Sequence, residues 1–541
     1  LIDDGLIAPN PTDYQESQVQ VHSDDEVPSV AIIPFRNKGK EEEEFYAYGI
    51  CSELISDVSS AGLIRVASLE KILELGDLPA SEKAEQLNVR YTTTGMLWKM
   101  GEMFQLSIEL YDNKESKVVW SDQWQEKWDN LSTIKGSLSE GLLKALNTEK
   151  SVESKTETVS TEAYTYYLEA KYKFDNLENK SEIDLIRGLL IKSLSLDKNL
   201  LEAKWLLALT YFQTDDHEKA QELSSQIIIE GEKTNNYRIV ADVYWRLGHH
   251  NVFRRDFQKG KEYFQYSLEF SKKINDKNNI ANSMCGLAWI YAEEGSSSDD
   301  KIINMFESGL AIYDELEDNN AGVGTNVDLG YYYCVAVGQV DKSLFYIKRA
   351  LKLAEEFGSK SDLSVGYLGI GFYHFFVGDY EKSDKYYNKS LELGTEIGDH
   401  SLMSLMNQCL GESYFFQSKY EESLSYFEKA YDIAIRINLK IWITGALQGI
   451  ALCKQILGLE VDYDTINLDK EKRMQEKTGV RVNAYYDDYL YFMIFKENQY
   501  LQSAFDKLNN ISNKLNEKDR KNLLKCPWPK MIIAEWEKHH S

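Results

Sequence analysis

The side chains able to do chemistry in this 541-residue chain stand alone or in adjacent pairs. His249 and His250 are neighbours in a predicted helix. Adjacent side chains on a helix point about 100° apart, so the two imidazoles are poorly placed to chelate one metal ion. His539 and His540 lie next to the carboxy-terminal Ser541 and are interpreted as a terminal tail. The histidine pattern therefore predicts no metal site.

The common catalytic and phosphate-binding motifs are missing as well. The sequence has no GxxxxGK[ST], GxSxG or HExxH, and no GxGxxG between a predicted strand and helix. Gly366, Gly369 and Gly371 superficially resemble a glycine-rich loop, but they fall inside a predicted repeat helix, where close packing explains them. We therefore predict no catalytic residues and no cofactor. An unrecognised enzyme stays an alternative, which a substrate-sized pocket with convergent, pKa-shifted groups would favour.

The six cysteines form no CxxC motif and no other metal-ligand spacing. They are Cys51, Cys285, Cys334, Cys409, Cys453 and Cys526. Several lie in apolar helical patterns, where a thiol behaves as a small hydrophobe, and such usage favours a reducing compartment. No signal peptide is evident, and the longest weakly charged run, 363–378, is too short to span a bilayer comfortably. We predict a cytoplasmic location.

The charge balance is strongly acidic, with 87 acidic against 61 basic residues and a formal net charge of −26. Such a surface repels nucleic-acid phosphates and anionic lipids, so we predict neither nucleic acid nor membrane as a partner. The run Glu41 to Glu44 is interpreted as a solvated loop.

The hydrophobic pattern divides the chain into two structured portions. Residues 1–27 are predicted to be a linker, 28–149 a mixed α/β domain, and 150–161 a second linker rich in Ser, Thr, Glu and Lys. Within the α/β domain, Phe104, Leu106, Ile108 and Leu110 alternate with polar residues, as in a half-buried strand. Predicted strands near Ser29–Phe35, Leu63–Val66, Arg90–Lys99, Met103–Tyr111 and Lys117–Trp124, and helices near Phe45–Ser59, Ser81–Leu87 and Leu131–Leu146, give the order β-α-β-α-β-β-β-α.

From residue 162 to 437 the sequence repeats with a period of about 40 residues. Gly371, Ser383 and Tyr387 recur as Gly411, Ser423 and Phe427. Small residues let paired helices approach and aromatic residues fill the gaps, and the pairs must stack because none buries its apolar face alone. No proline interrupts the chain between Pro79 and Pro527. We predict about seven helix pairs here, followed at 438–541 by a degenerate repeat and capping helices.

These landmarks resemble those of tetratricopeptide repeats (TPR), in the longer variety found in bacterial regulators rather than the 34-residue form. The resemblance implies an α/β + all-α fold, a small mixed α/β domain followed by a right-handed TPR α-solenoid. The first helix of each TPR pair lines a concave face that suits a protein or peptide partner. The predicted groove residues are Glu202, Trp205, Leu209, Phe212, Trp245, His249, Phe253, Asp328, Tyr332, Leu368, Phe372, Gln408, Glu412 and Phe415. The alternative is that these aromatic residues pack between neighbouring helices.

The stretch from Val30 to about Leu131 resembles the TolB amino-terminal-like (FlgO-like) domain. The matching segments are Val30 to Phe35, Tyr48 to Ile55, Gly62 to Ser68, Leu87 to Tyr91 with Gly95, Leu110 to Asp112, and Val119-Trp120. The sequence departs from that family at Glu41–Glu44 and in a shortened segment after Ser68. The resemblance implies a binding or scaffold domain with no known catalytic residues.

Together the two portions resemble the carboxy-terminal regulatory half of bacterial class III adenylate/guanylate cyclases, and Gly5 to Pro9 resembles the linker after the cyclase domain. The chain begins at Leu1 rather than Met, and we expect the catalytic domain, or an anchor, upstream of it. The resemblance implies a non-catalytic module that binds proteins, relays a signal and could form a homodimer. The sensor half of a winged-helix transcription regulator of the CadC type, or a stand-alone TPR adaptor, are the alternatives.

Overall fold

The computed structural model describes residues 28–59, 64–67, 69–146, 160–177, 182–214, 216–316, 321–357, 359–467 and 484–540. The linker predicted at 1–27 and most of the one predicted at 150–161 lie outside these residues. The α/β portion contains, in chain order, β1 Ser29–Ile32, β2 Arg36–Asn37, α1 Glu44–Ser59, β3 Arg65–Val66, α2 Leu69–Glu74, α3 Ala80–Gln86, β4 Tyr91–Met100, β5 Met103–Asp112, β6 Lys117–Lys127 and α4 Leu131–Ala145.

The strands form one mixed sheet in the order β3-β1-β4-β5-β6, with β2 pairing with β4 beyond the end of β1. Strands β1, β2 and β3 are joined to their neighbours in parallel, whereas β4, β5 and β6 form antiparallel hairpins. The alternation predicted in β5 is observed, because Phe104, Leu106, Ile108 and Leu110 are all buried under α1 and α4. On the opposite face of the sheet, Ala31 of β1 is buried with Ile72 of α2 and Ala84 of α3.

Two local features differ from the sequence prediction. Glu41–Glu43 form a short 3-10 turn that leads directly into α1, so the acidic run is not a loop throughout. Acidic side chains are favoured at a helix amino terminus, where the backbone dipole is positive. Helix α2 at Leu69–Glu74 was not predicted, because six residues are too few to display a helical period.

The remaining described chain is helical. Its helices are α5 Thr161–Asp175, α6 Ile183–Leu196, α7 Leu201–Gln213, α8 His217–Thr234, α9 Tyr237–Phe253, α10 Phe257–Ile274, α11 Lys277–Glu294, α12 Asp299–Glu315, α13 Ala321–Tyr332, α14 Val340–Phe357, α15 Lys360–Phe376, α16 Tyr380–Glu396, α17 His400–Phe416, α18 Tyr420–Arg436, α19 Lys440–Leu457, α20 Ala484–Phe495, α21 Asn498–Ser512, α22 Glu517–Lys525 and α23 Pro527–His540. Helices α5 to α18 stack as successive pairs, which confirms a small α/β portion followed by a helical-repeat solenoid.

Capping residues explain where many of these helices begin and end. The side chains of Asp256, Asp276 and Asp399 each accept a hydrogen bond from the backbone N–H three residues later, which satisfies a donor that the helix itself leaves open. Asn235 and Asn275 end α8 and α10 in the left-handed conformation that stops a helix. These local capping interactions therefore help to set the length of each helix, and with it the length of the repeat.

Glycines and aromatic residues join the pairs. Phe264 of α10 is 1% exposed, and its ring lies between Gly248 of α9 and Gly286 of α11. A Cβ added at either glycine would come within 2.6 Å of the ring. Phe427 of α18 lies in the same way between Gly411 and Gly449, both closer than 3.0 Å to an added Cβ. One aromatic ring thus contacts the first helix of its own pair and of the next.

The helices α20 to α23 fold back onto the repeats. Trp528 of α23 stacks on Tyr486 of α20 at 3.5 Å between ring centroids and lies edge-on to Phe375 of α15. Lys518 of α22 pairs with Asp341 of α14 at 2.7 Å. These contacts merge the carboxy-terminal helices with α11 to α17 in one hydrophobic cluster. No described helix is long and apolar enough to cross a membrane.

Candidate binding site at the domain junction

A cavity of about 470 Å³ lies between the α/β portion and the first helix pairs of the solenoid. One wall is α1, and the other is formed by α5, α7, α9 and the start of α11. The lining residues are Ser52, Glu53, Ile55, Ser56, Ser59, Tyr167, Lys171, Glu202, Trp205, Leu206, Leu209, Arg238, Ile239, Asp242, Asp276, Asn278 and Asn279. Its volume suits a small molecule or a few residues of a peptide. We call this space the junction cavity.

Helix α1 forms a wall of the junction cavity because it is buried on two sides. Ile50 and Leu54, each 1% exposed, pack in the core beneath the sheet. On the other side Gly49 lies against Leu168 of α5, so closely that an added Cβ would be 2.8 Å from Leu168 Cδ2. The same hydrophobic cluster runs from the sheet through α1 into α5, α6 and α7. The two portions of the chain therefore share one core.

Glu53 is a buried acid that ties α1 to the solenoid. It is 4% exposed, and the Tyr164 hydroxyl of α5 donates a hydrogen bond to Glu53 Oε2. Burial, followed by the charge of Glu53, raises the pKa of Tyr164 and of Tyr167 well above the ordinary value. Both phenols therefore stay protonated and can donate hydrogen bonds, and Tyr167 lines the cavity.

Arg238 connects the two walls from the opposite side. Its Nη1 donates a hydrogen bond from α9 to Ser56 Oγ on α1. Burial lowers the pKa of Arg238, but the charges of Asp57, Asp242 and Glu202, among others, outweigh that effect and raise it. The guanidinium is thus a permanent cation among carboxylates that come from both portions of the chain.

Asp242 and Asp276 share one amide donor. Asn279 Nδ2 donates to Asp242 Oδ1 at 2.7 Å and to Asp276 Oδ2 at 2.9 Å. Burial and the charge of Asp276 raise the pKa of Asp242 to about 6, against the opposing effects of Arg238 and Asn279. Burial also raises the pKa of Asp276. The two carboxylates keep their negative charges only at a free-energy cost.

Among the predicted groove residues, Trp205 and Leu209 line the junction cavity, as does Glu202. The neighbours along the solenoid pack between helices instead. The Phe212 ring lies 5.5 Å from His250, and Trp245 lies 4.5 Å from His249. His249 in turn contacts Phe264 edge-on at 5.2 Å, and burial lowers its pKa to about 4, so its imidazole is neutral. Phe253 is also half-buried and packs near α18 and α19.

Two further predicted residues lie on α13 with different surroundings. Tyr332 is 4% exposed and donates to Asp299 Oδ1 of α12 at 2.7 Å, so the structure places it in the core rather than on an accessible groove. Asp328 is half-buried, and a side chain added at Gly324, one turn before it, would meet no neighbour. Burial alone raises the pKa of Asp328 to about 7.

The groove residues predicted further along are partly buried by other parts of the chain. Phe415 packs with Leu490 and Met493 of α20. Leu368 and Phe372 pack against the cluster that contains the carboxy-terminal helices. The remaining two predicted residues are Gln408 and Glu412, and the Gln408 amide donates a hydrogen bond to Glu412 Oε1 at 3.2 Å. Burial and the charge of Asp487 on α20 raise the pKa of Glu412 to about 7. Phe415 is therefore only partly exposed beside α20.

We expect Asp328→Asn to stabilise the protein at alkaline pH. An acid whose pKa is about 7 in the folded state and near 4 when unfolded contributes stability that is present at pH 4 and lost as the pH rises through 7. The amide keeps the shape without the charge. The variant should unfold like the wild type at pH 4 but be more stable at pH 8 by on the order of 2 kcal/mol. Urea unfolding at both pH values measures this, and an equal effect at both would contradict it.

The histidines and cysteines assemble no metal site in the described part of the chain. The His250 ring lies 4.5 Å from that of His217, but burial lowers the pKa of both, and the Arg254 guanidinium is 2.9 Å from His250 Nδ1. All six cysteines are free. Burial raises the pKa of the Cys51 and Cys334 thiols, so they are poor nucleophiles.

The sequence prediction missed α1 as part of the site, together with Arg238 and Asp242. The sequence prediction treated the α/β portion and the repeats as separate units, so it assigned no neighbour to the outer side of α1. One signal was available: Gly49, Ser52, Glu53 and Ser56 follow a helical spacing of small and polar residues on the side away from Ile50.

Residues 362–436, within α15 to α18, match the tetratricopeptide repeat family. No match was found among curated proteins. This match confirms TPR repeats in the carboxy-terminal half of the chain.

Solved structures resemble parts of the chain at low identity. A Rap protein complexed with competence and sporulation factor is 13% identical, with a TM-score of 0.44 over 70% of this chain and 99% of that protein. A signal-transduction ATPase with a tetratricopeptide repeat sensor from Pyrococcus horikoshii is 14% identical, with a TM-score of 0.38 over 88% of this chain and 67% of that one. TolB from Acinetobacter baumannii is 18% identical, with a TM-score of 0.17 over 22% of this chain and only 28% of that protein.

Proposed function

We propose that this chain is a non-catalytic binding module that takes a short segment of a protein partner into the junction cavity. The single observation that carries the proposal is the composition of the cavity walls, which come from α1 on one side and α7 and α9 on the other. A bound segment would contact both portions of the chain at once. Binding there would change the position or stability of α1, and through the shared core that of the sheet.

The lining supports a peptide better than a nucleic acid or a lipid. Trp205, Leu209 and Ile239 supply an apolar floor, and the serines and asparagines supply donors and acceptors for a peptide backbone. The far end of the repeats is less suited, because α20 occupies the surface near Phe415. The acidic charge of the chain, −26, also opposes phosphate-rich partners.

A catalytic alternative has one observation in its favour, the raised pKa of Asp242 in a cavity of substrate size. The lining contains no His or Cys, and both carboxylates beside Asn279 are engaged by its amide. No nucleophile is hydrogen-bonded to a base among these lining residues. Binding therefore explains the site with fewer assumptions.

Panning a displayed random octapeptide library on the full chain tests the proposal. The wild type should enrich binders, whereas Leu209→Trp, which fills the cavity, should weaken the selected peptides at least about tenfold. The matched control is Ile229→Trp, at a position 70% exposed on α8, which should bind like the wild type. Recovery of no binders, or of binders indifferent to Leu209→Trp, would refute the site.

Hydrogen exchange tests whether peptide binding in the junction cavity affects the sheet. On addition of a selected peptide, hydrogen exchange should slow in α1 and in β1, which packs against it, as well as in α7 and α9. Protection confined to the solenoid would leave a peptide-binding module without a relay to the sheet.

The output of the module is a further part of the proposal. We keep attachment to a class III cyclase domain as the expectation, with a winged-helix regulator or a stand-alone adaptor as alternatives. The comparisons add no support for the cyclase attachment, and the binding proposal does not depend on it. The amino-acid sequence encoded immediately upstream of Leu1 tests the three against one another.

A further inference from the structure

The charges that line the junction cavity do not balance. Four carboxylates, those of Glu53, Glu202, Asp242 and Asp276, face two cations, Lys171 and Arg238. Both cations are already engaged by the chain. Lys171 pairs with Asp175 at 3.0 Å, and Arg238 is bonded to Ser56 and surrounded by acids. Carboxylates therefore outnumber cations by two to one among the lining residues.

The aromatic and apolar residues of the lining lie in the same space as these carboxylates. Trp205 and Glu202 lie on the same helix within one turn and both face the cavity. The face of an indole attracts a cation more strongly than any other aromatic side chain does. Leu206, Leu209 and Ile239 line the same space and can cover an aliphatic stem. An aromatic face, carboxylates and an apolar channel together match a long cationic side chain.

We infer that the junction cavity recognises an arginine or lysine side chain of the bound peptide segment. This inference rests on the proposed function and names the chemistry that selects the ligand. The aliphatic stem lies along Leu209 and Ile239, the cationic head lies over Trp205, and Glu202 and Asp242 neutralise it. A glutamate or phosphorylated residue at the same position is excluded by like charge.

Peptides selected on the wild-type chain provide the probe. Each is synthesised with its Arg or Lys residues and again with citrulline or norleucine in their place, substitutions that remove the charge but retain much of the shape. One such substitution should weaken binding at least about tenfold, a loss of roughly 1.4 kcal/mol. The double variant Glu202→Gln with Asp242→Asn should bind the charged and the neutral peptide equally. Glu218→Gln, exposed on α8, should keep the difference.

Three outcomes separate this inference from the proposed function. Peptides that lose affinity with Leu209→Trp but are indifferent to citrulline overturn the inference and leave the binding site in place. Selected peptides without any basic residue have the same meaning. A library that yields no binder overturns both. Trp205→Leu provides a second check, because it keeps an apolar wall while removing the aromatic face, and should reduce the preference for the charged peptide severalfold.

Discussion

Phe264→Ala should lower the free energy of unfolding by about 4 kcal/mol, the usual cost of emptying a fully buried phenylalanine site. Phe264 is 1% exposed and lies between Gly248 and Gly286, which carry no side chains to fill the space left behind. The cavity would open where α9, α10 and α11 meet. Urea unfolding followed by circular dichroism measures the loss.

The control for this variant is Ile229→Ala on α8. Ile229 is a large apolar residue too, but it is 70% exposed, so its truncation should change the unfolding free energy by less than about 0.5 kcal/mol. A Phe264→Ala loss as small as that of the control would mean that the glycine–aromatic contact is not what holds consecutive pairs together. Hydrogen exchange should then show no loosening of α9 and α11.

Arg238→Met should destabilise the chain by about 3 kcal/mol at pH 8, because it leaves partly buried carboxylates without their cation. Asp57, Asp242, Glu202 and Glu53 all lie close enough to raise the pKa of Arg238. In the variant the pKa of Asp242 should rise above its present value of about 6, since Arg238 lowers it now. Protonation of Asp242 then relieves the repulsion, so the loss should be smaller at pH 5.

Thermal and urea unfolding at pH 5 and pH 8 check this prediction. Lys272→Met removes a cation from an exposed position on α10 and should have little effect at either pH. A loss for Arg238→Met that is equal at the two pH values would show that packing rather than charge is responsible. The expected outcome also bears on the proposed relay, because Arg238 is a direct polar link between α9 and α1.

The shared core has a consequence for how the module could respond. Gly49 and Leu168 hold α1 on α5, while Ser56 and Arg238 hold it on α9, so α1 contacts two different repeats. A ligand between those contacts would favour one arrangement of the repeats relative to the sheet. Under the proposed function, the α/β portion would respond to occupancy of the cavity rather than act as an independent unit.

The amino-acid sequence by itself determined the elements and their repetition. The alternation of Phe104, Leu106 and Ile108 is local and gives a strand, and the 40-residue recurrence of Gly371 and Tyr387 gives stacked helix pairs. Such features depend on neighbours within a few turns, or on a pattern that repeats, and so they can be recognised without coordinates. The predicted fold was confirmed for this reason.

Only the tertiary structure decided which surfaces are accessible. Leu209 and Glu412 have equivalent places in the repeat pattern, yet Leu209 lines the junction cavity, whereas Glu412 lies close enough to Asp487 of α20 for that charge to raise its pKa. The difference arises from segments far away in the chain: α1 packs against α5 and is bonded to α9, and α20 folds back onto α19. Long-range contacts of this kind depend on the complementarity of whole surfaces, which the local periodicity of hydrophobic residues does not reveal. The same physics placed Asp242 beside Asn279 and Arg238 beside Ser56, and so created the site.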